Sequence, residues 1–324
     1  MSRAGVSSTI EVVPTTSLNP TAHRYATHRI AIASLKPGAG RLLRLWHLAS
    51  FDAPSVALVW AFSFAWAAGT RLPMQAAAVM VLGVWTVYVG DRLLDARAAL
   101  RSHAQHRLRE RHFFHWRHRK VLAPLAAIAG AATAVLVLAC IPVVARERDS
   151  VLAAASLAYF ARVHHSQLSG ARRTRPFFPP LVTKELLVGV LFAIGCALPS
   201  FGRALAEPLA ARLALLTVLL VFATLAWLNC HAIERWESDS PHRRGPTLKS
   251  CGLCLATIGL AAAMLLSPAY PRPALLLAAA ALSAVLLVLL DRIRASLSPV
   301  TLRAAADLVL LVPALLIPIT WVAR

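Results

Sequence analysis

Acid is what this chain has least of. Its 324 residues contain 14 Asp and Glu against 34 Lys and Arg, for a formal net charge of +20. Charged residues of either sign make up only 15% of the sequence, too few to solvate the surface of an ordinary soluble domain. Cysteine is scarce too: Cys140, Cys196, Cys230, Cys251 and Cys254 all fall in or beside apolar runs, which excludes a disulfide framework and leaves them as small packing residues. Residues 1–47 are polar and have no apolar stretch of signal-peptide type, so a cleaved leader is not expected. The His-x-x-His-His box of membrane di-iron oxygenases is missing. Near His112, His115 and His118, five Arg and Lys residues from Arg109 to Lys120 would repel a cation.

Apolar length is present in quantity. Hydrophobic residues are 58% of the chain and the mean hydropathy is +0.63. Runs near or above the roughly 18 apolar residues that cross a bilayer predict an all-α, polytopic integral membrane protein. Nine spans are expected, over 52–70, 73–92, 121–145, 149–165, 180–199, 208–232, 250–268, 273–291 and 302–322. They follow a basic tail (1–47) whose end, Arg41–Ala49, reads as a short interfacial helix. With nine spans, Lys and Arg number 6 in 1–47, 9 in 91–120, 5 in 162–184, 4 in 235–249 and 3 in 291–303, leaving 7 for the other side. The positive-inside rule then predicts a cytoplasmic N-terminus and an external C-terminus. The high charge is thereby explained by membrane lipids, not by nucleic acid. Abundant Ala, Leu and Arg with few Lys suggest a GC-rich bacterial source, so the expected location is a bacterial inner membrane.

Against this background two acidic clusters stand out. Asp91 and Asp95 close the second apolar run, four residues apart and so on one helical face. Glu234, Glu237 and Asp239 close the sixth, with Asn229 and His231 on the approach. Carboxylates beside a bilayer are costly and mark function. Two carboxylates on one face can hold Mg²⁺, which keeps several waters and completes its shell with substrate phosphate oxygens. Ordinary helix-end charges, paired with Arg92 or Arg97, are the competing account of the first cluster. Both clusters end segments running toward the same side, where Arg172, Arg173 and Lys184 supply groups suited to phosphate. Trp85, Tyr88, Tyr159 and Trp227 are candidate aromatic faces for a cation. Asp307 is expected either to pair with a neighbouring Arg or to form a polar wall of a cavity; the other acids read as loop charges.

These residues together resemble the UbiA superfamily of intramembrane prenyltransferases. Val-Gly-Asp91-Arg-Leu-Leu-Asp95 stands where that family has its first Asp-rich motif, after the second helix, and Glu234, Glu237 and Asp239 stand where it has its second, after the sixth. Thr183–Gly195 looks like its glycine-spaced fifth helix, preceded by the basic pair Arg172-Arg173. Gly90 in place of the family's Asn, the spacing of four and the glutamates mark a divergent member.

The resemblance implies nine helices around a central cavity and Mg²⁺-dependent transfer of an isoprenoid chain from a prenyl diphosphate to a small aromatic or lipid acceptor. It implies Asp91, Asp95, Glu234 and Glu237 as catalytic residues, joined by Asp239 as metal ligands. Arg172, Arg173, Lys184, Asn229 and Tyr159 would bind substrate. A non-catalytic relative acting as transporter, lipid-binding protein or scaffold is the alternative, although no inverted repeat is visible.

Overall fold

The computed structural model describes residues 37–101, 108–168, 184–237 and 247–316, without the side chains of 37–39, 101, 159–168 and 203. Within these residues every element is helical. In chain order they are α1 (Pro37–Leu48), α2 (Asp52–Ala67), α3 (Met74–Arg101), α4 (Glu110–Arg117), α5 (Arg119–Cys140), α6 (Val143–Leu168), α7 (Lys184–Ala204), α8 (Leu209–Glu237), α9 (Leu248–Leu266), α10 (Pro271–Ile293) and α11 (Pro299–Val309). Short 3₁₀ turns follow at Arg294–Ser296 and Val312–Leu315.

Among the described residues six helices are long and apolar enough to cross a bilayer: α3, α5, α7, α8, α9 and α10. A seventh span results if α1 and α2, bent by 89° at the break between them, count as one. Two expected spans are not among these. Helix α6 covers the predicted span 149–165, with the side chains of its residues 159–168 outside the described part. Helix α11 is only 11 residues long and gives way to a 3₁₀ turn containing Pro313, whose missing N–H ends a helical ladder; residues 317–322 of that predicted span lie outside the described part.

Apolar side chains cover the outer faces, as a protein solvated by lipid requires. Ile128, Val135 and Leu138 on α5, Leu260 and Met264 on α9, and Leu275, Leu282 and Leu289 on α10 are all exposed. The packed interior is formed mainly by α2, α7, α8, α9 and α10; in it Trp60 stacks on Phe222 with ring centroids 3.7 Å apart and donates its indole N–H to the Leu310 carbonyl (2.9 Å). Small residues let the backbones close up. A Cβ on Gly252 of α9 would lie 2.4 Å from Val288 of α10, and one on Gly189 of α7 would lie 2.7 Å from the Trp227 backbone nitrogen of α8. The first close approach seats α9 on α10, and the second seats α7 on α8.

The short helix expected at Arg41–Ala49 is present as part of α1, and a tight turn follows it. Ser50 carries it with φ +64°, a left-handed conformation that costs a non-glycine residue on the order of 1 kcal/mol. Ser50 is fully buried, so the residues around it must hold that conformation.

Candidate functional site

Helix α4 joins the two acidic segments. Its consecutive residues Arg111 and His112 point to different partners: Arg111 Nη1 donates to Glu237 Oε1 at 3.1 Å, while His112 Nε2 lies 3.8 Å from Asp95 Oδ2. The ends of α3 and α8 are thus at the same end of the bundle. The tautomer of His112 follows from its surroundings. Its Nδ1 accepts the Arg109 backbone N–H at 3.0 Å, which leaves Nε2–H facing the carboxylate.

Glu237 collects three guanidinium groups. Besides Arg111, Arg303 of α11 donates to Oε1 at 2.8 Å, and Arg109 lies 3.9 Å from Oε2 while donating to the Glu237 backbone carbonyl at 2.6 Å. Glu234, one turn earlier, is 3.6 Å from Lys184 Nζ at the start of α7, and the same ammonium is 3.7 Å from Glu185. Arg172, Arg173 and Asp239 lie outside the described residues, as does the side chain of Tyr159.

Asn229 sits deep in α8 and is bonded to another helix, which is what a buried amide there requires. Its Nδ2 donates to Asp307 Oδ1 at 2.9 Å. Asp307 is the polar wall anticipated from the sequence: with Ala53, Val56, Tyr88, Val188, Gly189, Phe192, Ala226, Asn229, Cys230 and Leu310 it lines a cavity of about 40 Å³. Of the four aromatic residues singled out, Tyr88 reaches this cavity, whereas Trp85 bonds the Ala49 carbonyl and Trp227 stacks on His231. Phe192, which the sequence did not single out, lines it and backs onto Phe222.

The largest addition to the sequence reading is a buried polar network at the α1–α2 elbow. Asp52, grouped with loop charges on sequence grounds, opens α2 at only 2% exposure. Its Oδ2 is 2.6 Å from His47 Nδ1 and 3.3 Å from Arg92 Nη2, and its Oδ1 accepts the Ala53 N–H. Arg92 of α3 reaches into this network. It turns to Asp52, the His47 carbonyl (3.0 Å) and Ser50 Oγ (2.6 Å). Ser50 in turn bonds His115 Nε2 at 3.0 Å, and His115 Nδ1–H donates to the Arg111 carbonyl. His115 therefore accepts at Nε2 and is neutral. Burial pushes its pKa down to about 4 and that of His112 to about 3, with the Arg111 charge adding to the effect at His112. Burial likewise lowers Arg111 to about 10, opposed by Glu237.

Among the described residues the acidic segments do not gather three ligand atoms for a metal: Glu237 is engaged by Arg111 and Arg303, and Glu234 by Lys184. Three potential ligand atoms within 4.8 Å of one another occur at a different place: His47, Asp52 and Asp307. There Arg92 already supplies the positive charge beside Asp52. The sequence carried one signal for this network, an acid at the start of an apolar run, and none for the part played by His47 or His115. Comparison with known proteins adds no relative to this geometry, since no protein-family model, curated protein or solved structure matches the chain.

Proposed function

We propose that the chain is an intramembrane prenyltransferase of the UbiA type, moving an isoprenoid chain from a prenyl diphosphate to a small acceptor in a bacterial inner membrane. The observation that carries this reading is the pairing of Arg111 with Glu237 and His112 with Asp95 from adjacent positions of α4. It sets two acidic helix ends and a group of guanidinium groups together at one end of the bundle. That combination answers the needs of a magnesium diphosphate, with carboxylates for the metal and planar guanidiniums for the phosphate oxygens.

In this proposal the full bundle has nine helices around a cavity, with α1–α2 forming the first and α11 with the residues after it the ninth. The basic end faces the cytoplasm. Asp91, Asp95 and Glu234, with Asp239, would hold Mg²⁺, which offsets charge on the leaving diphosphate. Arg111, Arg303 and Lys184, with Arg172 and Arg173, would bind its oxygens. Glu237 holds Arg111 and Arg303 in place. The apolar cavity walls would keep water from the allylic carbon.

A second reading, a non-catalytic lipid-binding or scaffold protein, is favoured by one observation: a cavity of about 40 Å³ accommodates a few water-sized groups and not a prenyl chain. Calorimetric titration of the detergent-purified chain with a non-hydrolysable prenyl diphosphate analogue, with and without Mg²⁺, separates the two. Mg²⁺-dependent binding that is lost in Asp91→Asn and Glu234→Gln is the expected result. Binding indifferent to Mg²⁺ and to both substitutions would leave the second reading standing.

A further inference from the structure

His47, Asp52 and Asp307 come from three separate elements, α1, α2 and α11, and their ligand atoms lie within 4.8 Å of one another. Zinc bonds to nitrogen and oxygen, roughly 2.0–2.2 Å long, hold donors at most about 4.4 Å apart. The three side chains therefore need only small adjustments to share one ion. His47 and Asp52 are each 2% exposed, and a hydrogen bond of 2.6 Å already turns them toward each other.

Charge at this place is not balanced. Arg92 answers Asp52 alone. Asp307 accepts a hydrogen bond from the Asn229 amide and makes no ion pair among the described residues. Arg303, one turn earlier on α11, donates to Glu237, as Arg111 does. One carboxylate is thus left without a cation. Beside it, Asn229 is only 5% exposed, and its Oδ1 has no hydrogen-bond partner among the described residues. Asn229 and Asp307 both line the cavity of about 40 Å³, which has room for a water molecule.

We propose that His47, Asp52 and Asp307 hold one divalent transition-metal ion, with a bound water in the cavity donating to Asn229 Oδ1. The imidazole favours an ion such as Zn²⁺ over Mg²⁺, whose ligands are oxygens. A divalent ion exceeds the unmatched charge by one. Loss of a proton from the bound water, which Zn²⁺ promotes near pH 7, restores the balance. The ion would fasten the α1–α2 elbow to α11. Its site is separate from the acidic segments, needs no diphosphate and does not depend on the transferase reading.

The test measures Zn²⁺ binding to the full chain in detergent, stripped of metal beforehand, by competition with a chromophoric chelator. Cysteines and exposed histidines can also take Zn²⁺, so His47→Gln, Asp307→Asn and Asp91→Asn are measured alongside. One firmly held ion is expected in the wild type and in Asp91→Asn. In His47→Gln and Asp307→Asn its affinity should fall at least about a hundredfold, as much as loss of an outer-shell partner costs or more. Co²⁺ in place of Zn²⁺ should give visible bands with no thiolate charge transfer. Hydrogen exchange of the wild type tests the site without any variant: Zn²⁺ should slow exchange at residues 47–53 and 302–309 together. No firmly held ion in the wild type, undiminished affinity in both His47→Gln and Asp307→Asn, or loss of the ion in Asp91→Asn would overturn the site. So would a thiolate band, or exchange that Zn²⁺ leaves unchanged at either segment.

Discussion

Arg92 of α3 and Asp52 of α2 form an ion pair that is almost entirely out of solvent, Nη2 to Oδ2 at 3.3 Å with both side chains at 3% exposure. The guanidinium also fastens the turn that precedes Asp52, through the His47 carbonyl and Ser50. One side chain thus holds the 89° bend and neutralises the acid beside it.

Removing one member of such a pair leaves an uncompensated buried charge, and Arg92→Met should cost about 3–5 kcal/mol. Asp52→Asn should cost about as much by stranding Arg92. The double variant should recover much of the loss, since neither charge is then buried alone. Thermal unfolding of the four proteins in one detergent gives the coupling energy. Additive losses would mean that the pair contributes little to holding the elbow.

Two glycines should respond in opposite directions to the same substitution. Gly189 faces the α8 backbone, where a Cβ would sit 2.7 Å from Trp227 N and 3.0 Å from its Cα. Backbone cannot yield as a side chain tip can, so Gly189→Ala should force α7 from α8 at a cost of about 1–3 kcal/mol or more. Gly90 lies inside α3 with nothing within 4 Å of its missing Cβ. Gly90→Ala should therefore stabilise by about 0.5–1 kcal/mol through helix propensity alone. Melting temperatures of the two single variants check both signs.

The membrane-embedded helical architecture was legible because apolar length is a strong signal: α3, α5, α7, α8, α9 and α10 each fall on a predicted span. The limit of that signal shows in α11, where Pro313 follows a helix of 11 residues inside a run that a window average joins together. At the site, the convergence of Asp95 and Glu237 on one end followed from counting helices between them. What composition could not show is how the arginines divide among the acids. Arg92 adjoins Asp91 in sequence, yet the helical turn directs it toward Asp52, forty residues earlier. A chain with so many arginines and so few acids leaves every such pairing open until the helices are packed.

Acid should loosen α4. His112 and His115 are buried and neutral, with pKa values lowered to about 3 and about 4 from an ordinary 6.5. The groups around them are Arg92, Arg111, Arg303, Asp52, Asp95 and Glu237. A base with a depressed folded-state pKa binds its proton more readily when unfolded. Stability is therefore fully present above pH 6.5 and declines as the pH falls toward 4, by about 1.4 kcal/mol per pH unit for each ring. Hydrogen exchange of residues 110–117 should rise between pH 6.5 and 4.5 in the wild type. The rise should shrink in His112→Gln with His115→Gln, whose side chains do not titrate. An unchanged pH profile in the double variant would assign the effect to carboxylates instead.

Glu237 can serve the arginines or the metal, and the two roles predict different behaviour. As the structure stands, its carboxylate holds Arg111 and Arg303, which are 14% and 21% exposed. Glu237→Gln would keep the shape and remove the charge, leaving those guanidinium groups facing each other uncompensated. If holding the arginines is its task, the variant should loosen α4, measured as faster trypsin cleavage after Arg109 and Arg111, while the Mg²⁺ requirement for the diphosphate analogue persists. Binding of the analogue without Mg²⁺ should even strengthen, because a phosphate oxygen replaces the lost carboxylate between the two guanidiniums. If Glu237 is a metal ligand, the Mg²⁺ dependence should instead fall, as in Asp91→Asn, with the cleavage rate unchanged. The ion-pair geometry favours the first outcome: three guanidinium groups around one carboxylate leave a surplus of positive charge that repels a cation and attracts a phosphate.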